Sequence, residues 1–289
     1  MNTNNNHLLF YRNYYQGVNW DKLAERGDKS HQSKFNKQLA IIRDAQLLPS
    51  LITKYLPQGS FQELPLFTTY PGLTTGIGIT HESGALGEIK MGFEFDYTTG
   101  MPVIRGHSVK GALRAAFPKL YLAPGKRPDN WEDIAYLLHG LLYKYEEDQY
   151  TPEGKTAFLR NEKALKEIEQ LELELFEGIG RQGERLTIYQ KDTFLDASIT
   201  KASTYAGTID RYIDQDTITP HLDPLKNPTP LPFLKILPGV EITFRFCLHQ
   251  QPGGRTVEEK CALFERILRR NGLGAKTNVG FGHFEKRNL

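Results

Sequence analysis

The chain has 289 residues, with 36 Lys and Arg against 34 Asp and Glu, a formal charge of +2, 39% hydrophobic and 24% charged residues. That balance argues against a disordered tail or a coiled coil, and no run of about 18 apolar residues is present to cross a membrane as a helix. Only two cysteines occur, Cys247 and Cys261, with no CxxC and no histidine cluster, which argues against a disulfide scaffold or a thiolate zinc site. The opening Met1 to His7 lacks the basic-then-apolar layout of a secretory signal, so a reduced, cytoplasmic protein is expected.

In chain order, Phe35, Leu39, Ile42 and Leu47 predict a helix over residues 31–56, kinked or broken at Pro49. Glu63 to Tyr70 reads as a strand closed by Pro71-Gly72, and Met91 to Tyr97 as a half-buried strand. After a turn at Gly100 comes a short strand, Met101 to Ile104. Ser108 then offers an N-cap for a helix from Val109 to about Phe117. Residues 128–177 read as acidic and helical, with Trp131, Ile134, Leu137, Leu138 and Leu141 on one face and a second helix from Pro152 to Phe176. Strand character returns from Leu186 to Ile199. An irregular Pro-rich stretch over Thr217 to Pro232 precedes a hairpin, Phe233 to Leu248, turning at Leu237-Pro238-Gly239. Val257 to Arg270 is the best amphipathic helix, with Cys261, Phe264, Ile267 and Leu268 inward. Asn271-Gly272 ends it, and Val279 to Glu285 is the last strand. The order of strand, helix, strands, helix, strand predicts an α+β, ferredoxin-like (RRM-like) core.

Charge is segregated along the chain. Arg105, Lys110, Arg114, Lys119, Lys126 and Arg127 follow one another with no acid between Met101 and Arg127, residues 129–184 are acidic, and the C-terminal stretch is basic again. Basic patches of this kind suit a polyanion, although charged residues mostly form solvated faces.

The basic stretches coincide with glycine-rich turns at Thr75-Gly76-Ile77-Gly78, Gly106-His107-Ser108-Val109-Lys110-Gly111-Ala112-Leu113-Arg114, and Gly272-Leu273-Gly274-Ala275-Lys276-Thr277-Asn278-Val279-Gly280-Phe281-Gly282. Glycine lets a backbone come close to a bulky partner. A glycine turn entering a helix N-terminus suits a phosphate, and Lys110 and Arg114, four apart, share one helix face. The third segment is not a P-loop, because Lys276-Thr277 follows Ala275 and the loop runs from a helix into a strand.

Together these segments, with His81, Arg105 and the stretches Thr193-Phe194-Leu195-Asp196-Ala197 and Thr219-Pro220-His221, resemble the RAMP superfamily of CRISPR-associated proteins. Within it, the resemblance is to the sixth-subunit family of type III-B Cmr effector complexes. It covers roughly residues 63–289, and departs from the family where Arg105 replaces a common proline and His107 a common serine. The resemblance implies one RAMP domain: a helical N-terminal extension over 1–60, a ferredoxin-like core over 61–127 and 185–289, and an acidic helical insertion over 128–184. It implies a non-catalytic backbone subunit in antiviral defence, contacting guide (CRISPR) RNA toward its 3′ end, target RNA and other Cmr subunits, with no cofactor, metal or membrane. The RNA-binding residues it implies are Gly106, His107, Ser108, Lys110 and Arg114, with Gly272, Gly274, Lys276, Thr277, Asn278, Gly280 and Gly282. Contact would be to phosphates, with little reading of bases.

The competing expectation is a metal-independent, guide-processing endoribonuclease, with His107 as general base beside Lys110 and Arg114. His81 is a weaker candidate still and reads as a solvent or structural histidine. Asp196 and His221 form a weak acid–base candidate, and Asp210, Asp214 and Asp216 a solvated acidic loop. A third expectation is a protein–protein adaptor that docks a neighbour through residues 128–184.

Overall fold

The computed structural model describes residues 5–23, 31–45, 61–75, 81–83, 85, 87–219 and 230–287. The helices and strands used below, in chain order, are α1 (Gln32–Arg43), β1 (Gln62–Thr68), β2 (Val103–Ile104), α2 (Gly106–Arg114), α3 (Trp131–Tyr143), α4 (Pro152–Leu159), α5 (Glu162–Glu172), β3 (Thr193–Phe194), β4 (Ala197–Lys201), β5 (Ile213–Ile218), β6 (Leu231–Ile236), β7 (Glu241–Cys247), α6 (Val257–Asn271) and β8 (Phe284–Glu285). The result is a mixed helix and antiparallel-sheet structure.

The main sheet runs β2-β4-β7-β1-β8, with β3 also paired to β7, and every pairing is antiparallel. Successive side chains of β7 alternate between faces. Ile242, Phe244 and Phe246 are buried, and the Phe246 and Phe194 rings lie 5.0 and 5.7 Å from Phe264 of α6. Helix α2 packs against α6 and β3, which seals that face with Val109 and Leu113. The other face of β7 carries Arg245, fully buried, whose guanidinium donates to Glu63 at 2.9 Å and to Ser198 Oγ at 2.8 Å.

Helix α6 forms where its pattern requires. Thr256 and Glu259 make a capping box, apolar residues recur at 263, 264, 267 and 268, and Gly272 closes the helix at φ 71°. Its inward face includes Lys260 in place of the expected Cys261, which is only partly covered.

Several local expectations are corrected. Helix α1 ends at Arg43, with Asp44 leaving the helical region; Leu47 and Pro49 lie outside the described residues. Met91 to Tyr97 makes only single bridges, Met91 to Phe233 and Phe95 to Pro102, although Phe93 and Phe95 are buried. The acidic segment holds three helices, because Asn161 caps α5 afresh after α4 and a π turn over Leu173–Glu177 closes it at Gly178, φ 67°. In α3 the buried residues are Ala135, Tyr136, Leu138 and Gly140.

The expected strand over 186–199 is broken at Leu195-Asp196 into β3 and β4. The turn at Leu237-Pro238-Gly239 joins strands that do not pair with each other. β6 pairs with β5, which occupies part of the expected irregular stretch, and β7 pairs with β1 and β4. Val279 closes a 3-10 turn, so the last strand is only Phe284–Glu285.

The N-terminal segment packs directly on the body. Gly92 lies under the Phe10 ring, where a Cβ would sit 2.3 Å from Cε1. Tyr14 Oη accepts the Ile89 amide at 2.7 Å, and Tyr11 Oη donates to the Phe93 carbonyl at 2.8 Å. His81 is buried between the Ile89 and Phe10 carbonyls, 3.0 and 3.1 Å from its ring nitrogens, and burial holds its pKa below the usual histidine range. Its place in the packing agrees with the structural reading.

Candidate nucleic-acid interface

The glycine-rich segments, far apart in sequence, meet at one cleft of about 330 Å³. Its lining includes Thr75 from the first, Arg105, Ser108 and Ala112 from the second, and Leu273 and Gly274 from the third. Gly76 and Gly78 lie outside the described residues. The walls are completed by Glu94, Val103 and Ile104.

Close backbone packing explains this meeting. The Ala275 amide donates to the Thr74 carbonyl at 2.8 Å, and the Gly282 amide to the Gly72 carbonyl at 2.8 Å. Gly274, at φ +100°, passes so near that a Cβ would lie 2.4 Å from the Thr74 oxygen. At the start of α2, a Cβ on Gly106 would lie 2.1 Å from the Phe194 carbonyl. These two glycines are thus consumed by approach of the chain to itself, the use glycine has wherever two backbones must touch.

The start of α2 departs from the sequence reading. The helix begins at Gly106, and Ser108 lies within its first turn. No side chain at the Arg105 cap position bonds it locally; Asp196 does so from across the β3–β4 break. Its carboxylate accepts the Gly106 amide at 2.7 Å and Arg105 Nη1 at 2.9 Å. Arg105 also donates from Nε to Glu94 at 2.5 Å, and its pKa is raised by these bonds to Glu94 and Asp196. The helix N-terminus, with its partial positive charge, therefore already holds an anion.

Lys110 and Arg114 do share a face, and that face meets the end of the acidic helices. Lys110 Nζ donates to the Phe176 carbonyl at 3.0 Å, while Arg114 donates to Tyr121 Oη at 2.6 Å and pairs with Glu177. Beneath them Glu172 is buried; burial raises its pKa to about 7, although it accepts the Lys119 amide at 2.9 Å and lies near the Arg114 charge.

His107 is exposed, and its ring has no hydrogen-bond partner among the described residues. His221 lies outside the described residues. Asp214 pairs with Arg211 at 3.0 Å and Asp216 with Lys235 at 2.7 Å, both on β5, so they are not a free acidic loop.

Lys276 stands apart. It adopts the left-handed region at φ 63°, which costs a non-glycine residue about 1–2 kcal/mol, and its amine has no partner among the described residues. Asn278 beside it is exposed, Thr277 partly so, and the loop is closed by the Leu273 amide donating to the Gly282 carbonyl at 2.8 Å. A lysine held at positive φ is a backbone outlier of the kind that concentrates at functional sites.

Glu94 is a site residue that sequence reasoning did not select, while Thr75 entered only as the start of a glycine-rich turn and Asp196 only as a weak acid–base candidate with His221. Only the alternation Phe93-Glu94-Phe95 hinted that Glu94 lies on the face opposite the core.

A model of the RAMP superfamily matches residues 65–285. The chain belongs to the RAMP superfamily. The match spans the glycine-rich segments, so the cleft is a feature of a RAMP protein. Among curated proteins, nothing matches. Among solved structures, this RAMP chain is similar to a chain of the cryo-EM structure of the type III-B Cmr-beta bound to cognate target RNA. That likeness has 19% identity and a TM-score of 0.49, over 98% of this chain and 85% of that one. It is also similar to Cmr6 from Pyrococcus furiosus, at 20% identity and a TM-score of 0.40, over 80% of this chain and 100% of that one. No helix among the described residues is long and apolar enough to cross a membrane.

Proposed function

We propose that this RAMP protein is a non-catalytic RNA-binding backbone subunit of a type III-B Cmr effector complex, contacting guide RNA toward its 3′ end and neighbouring subunits in antiviral defence. The observation that carries the reading is that described residues of all three glycine-rich segments line one cleft, and that two positions beyond its Gly274 stands Lys276, whose amine has no partner among the described residues. A ribose-phosphate strand passing over the cleft would meet Ser108, with His107 before it in the chain, and would continue onto Lys276, Thr277 and Asn278 in the loop that follows Gly274. Lys110 is bonded to a carbonyl and to no carboxylate among the described residues, so it adds to the local field; Arg114 adds less, because Glu177 pairs with it. Gly272, Gly274, Gly280 and Gly282 hold the loop shape, and Gly106 the approach of α2.

The core fits a ferredoxin-like reading. The order β8-β1-β7-β4, with α2 between β1 and β4 in sequence and α6 between β7 and β8, supports it. We read the chain as one domain, with residues 128–184 inserted into the core and the N-terminal segment packed on it.

Two measurements test the reading. Purified chain, alone and assembled, is titrated with unrelated single-stranded RNAs of mixed sequence containing all four bases; comparable affinities that fall when Lys276 is replaced by Ala support it, and unchanged binding refutes it. Incubation with repeat RNA in EDTA separates scaffold from nuclease. Intact RNA is expected, whereas 2′,3′-cyclic phosphate products lost in His107→Ala would make the chain an endoribonuclease.

A further inference from the structure

The cleft has more structure than a passing phosphate chain needs. Val103, Ile104 and Leu273 are buried and, with Ala112, make apolar walls. Three polar groups converge on them. Thr75 Oγ1 is buried with no hydrogen-bond partner among the described residues. The Ser108 hydroxyl likewise has no partner among the described residues and is exposed at the mouth. Glu94 gives one oxygen to Arg105 and has no bond at its other oxygen among the described residues.

An orphaned hydroxyl is costly unless a ligand satisfies it. A volume near 330 Å³ sits at the small end of ligand pockets, room for one planar ring system and too little for a duplex. Apolar side chains on either side with hydrogen bonds to the base edge are one way proteins hold an unstacked base. A carboxylate accepts hydrogen bonds only, so Glu94 favours a base edge that donates.

We propose that the cleft takes one unstacked nucleobase carrying an exocyclic amine, recognised by Glu94 and Thr75 while the adjoining phosphates lie on the Lys276 loop. The inference rests on the RNA-binding reading above and deepens it, because one base position escapes the indifference to sequence shown by phosphate contacts. Uracil, which offers a carbonyl where cytosine offers an amine, would leave Glu94 facing an acceptor.

The test uses the full chain and labelled 12-mers of cytidine and of uridine, two weakly stacking pyrimidines that differ at that one group. Anisotropy titrations are run over a salt series with wild type, Ala112→Phe, Glu94→Gln, Thr75→Val and Lys276→Ala. Wild type is expected to favour the cytidine oligomer by roughly tenfold, in the range for one well-formed base contact. Ala112→Phe, which fills the cleft, is expected to remove that advantage without changing the salt slope, and Glu94→Gln to equalise the two oligomers. Thr75→Val, which is nearly isosteric, keeps the test open should Ala112→Phe fail to fold; it is expected to weaken the cytidine oligomer more than the uridine one.

Equal binding of the two oligomers by wild type overturns the proposal, as does cytidine preference that survives in Glu94→Gln and Thr75→Val. If Lys276→Ala still weakens both oligomers in that case, the RNA-binding reading stands and only the base pocket falls. If Lys276→Ala changes nothing, the underlying reading fails as well.

Discussion

The Asp196 carboxylate accepts a 2.7 Å hydrogen bond from the Gly106 amide, the first residue of α2, while its other oxygen holds Arg105 Nη1 at 2.9 Å. An acid 90 positions downstream thus does the work of an N-cap and occupies the place where a helix start would otherwise receive a phosphate. Asp196→Ala is expected to destabilise the fold by about 1–2 kcal/mol, the usual worth of a cap. Urea denaturation measures this. In the folded fraction, RNA affinity is expected to stay equal or rise, since a negative charge leaves the cleft rim. A fall in affinity without loss of stability would make Asp196 an RNA contact.

Lys260 is fully buried on α6, with Glu174 at 2.8 Å, Asp192 at 2.7 Å and the His249 carbonyl at 2.6 Å from its amine. It ties the end of the acidic helices and the 192 turn to the core helix. Lys260→Met leaves two buried carboxylates without their cation. A loss of roughly 3–5 kcal/mol is expected, as when one partner of a buried pair is removed. Thermal melts of the variant alongside wild type check it.

Glu172 carries a pH signature. Its folded pKa, near 7, lies above the ordinary carboxylate value of 4.5, so between those values the native state binds more protons than the unfolded one. Its contribution to stability is therefore complete below about pH 4.5 and shrinks as pH rises through 7. The change is of order 1–3 kcal/mol, given 1.36 kcal/mol per unit. Glu172→Gln is expected to flatten that part of the stability–pH curve; an unchanged slope would remove Glu172 as its source.

Lys276 sets stability against function. Because its φ of 63° suits glycine, Lys276→Gly is expected to stabilise the loop or leave it neutral, by up to about 1 kcal/mol, while weakening RNA binding. A variant that loses both stability and binding would show that the lysine serves the fold.

What could be read from sequence depended on the reach of the interaction. Helix α6 was legible because its apolar spacing and its closing Asn271-Gly272 are local signals; the capping box of Thr256 and Glu259, equally local, went unread. The glycine-rich segments were legible as a group, and they do meet at the cleft. Lys110 and Arg114 shared their helix face as expected, but their partners Phe176 and Glu177 lie 66 and 63 positions on, beyond any local pattern. The same limit hid Asp196 at the start of α2. Alternation in Val240, Ile242, Phe244 and Phe246 identified a strand but could not say which neighbour it joins, so β6 and β7 were paired with each other wrongly.

The central claim is sequence-blind phosphate contact at the Lys276 loop, and the salt dependence of RNA affinity addresses it most directly. For wild type and Lys276→Ala, log Kd is measured against log salt with two unrelated single-stranded RNAs. Each lost phosphate contact is expected to reduce the slope by roughly 0.7. The account predicts a reduction of that size, the same for both RNAs. Identical slopes for the two proteins, or a loss confined to one RNA sequence, would contradict it.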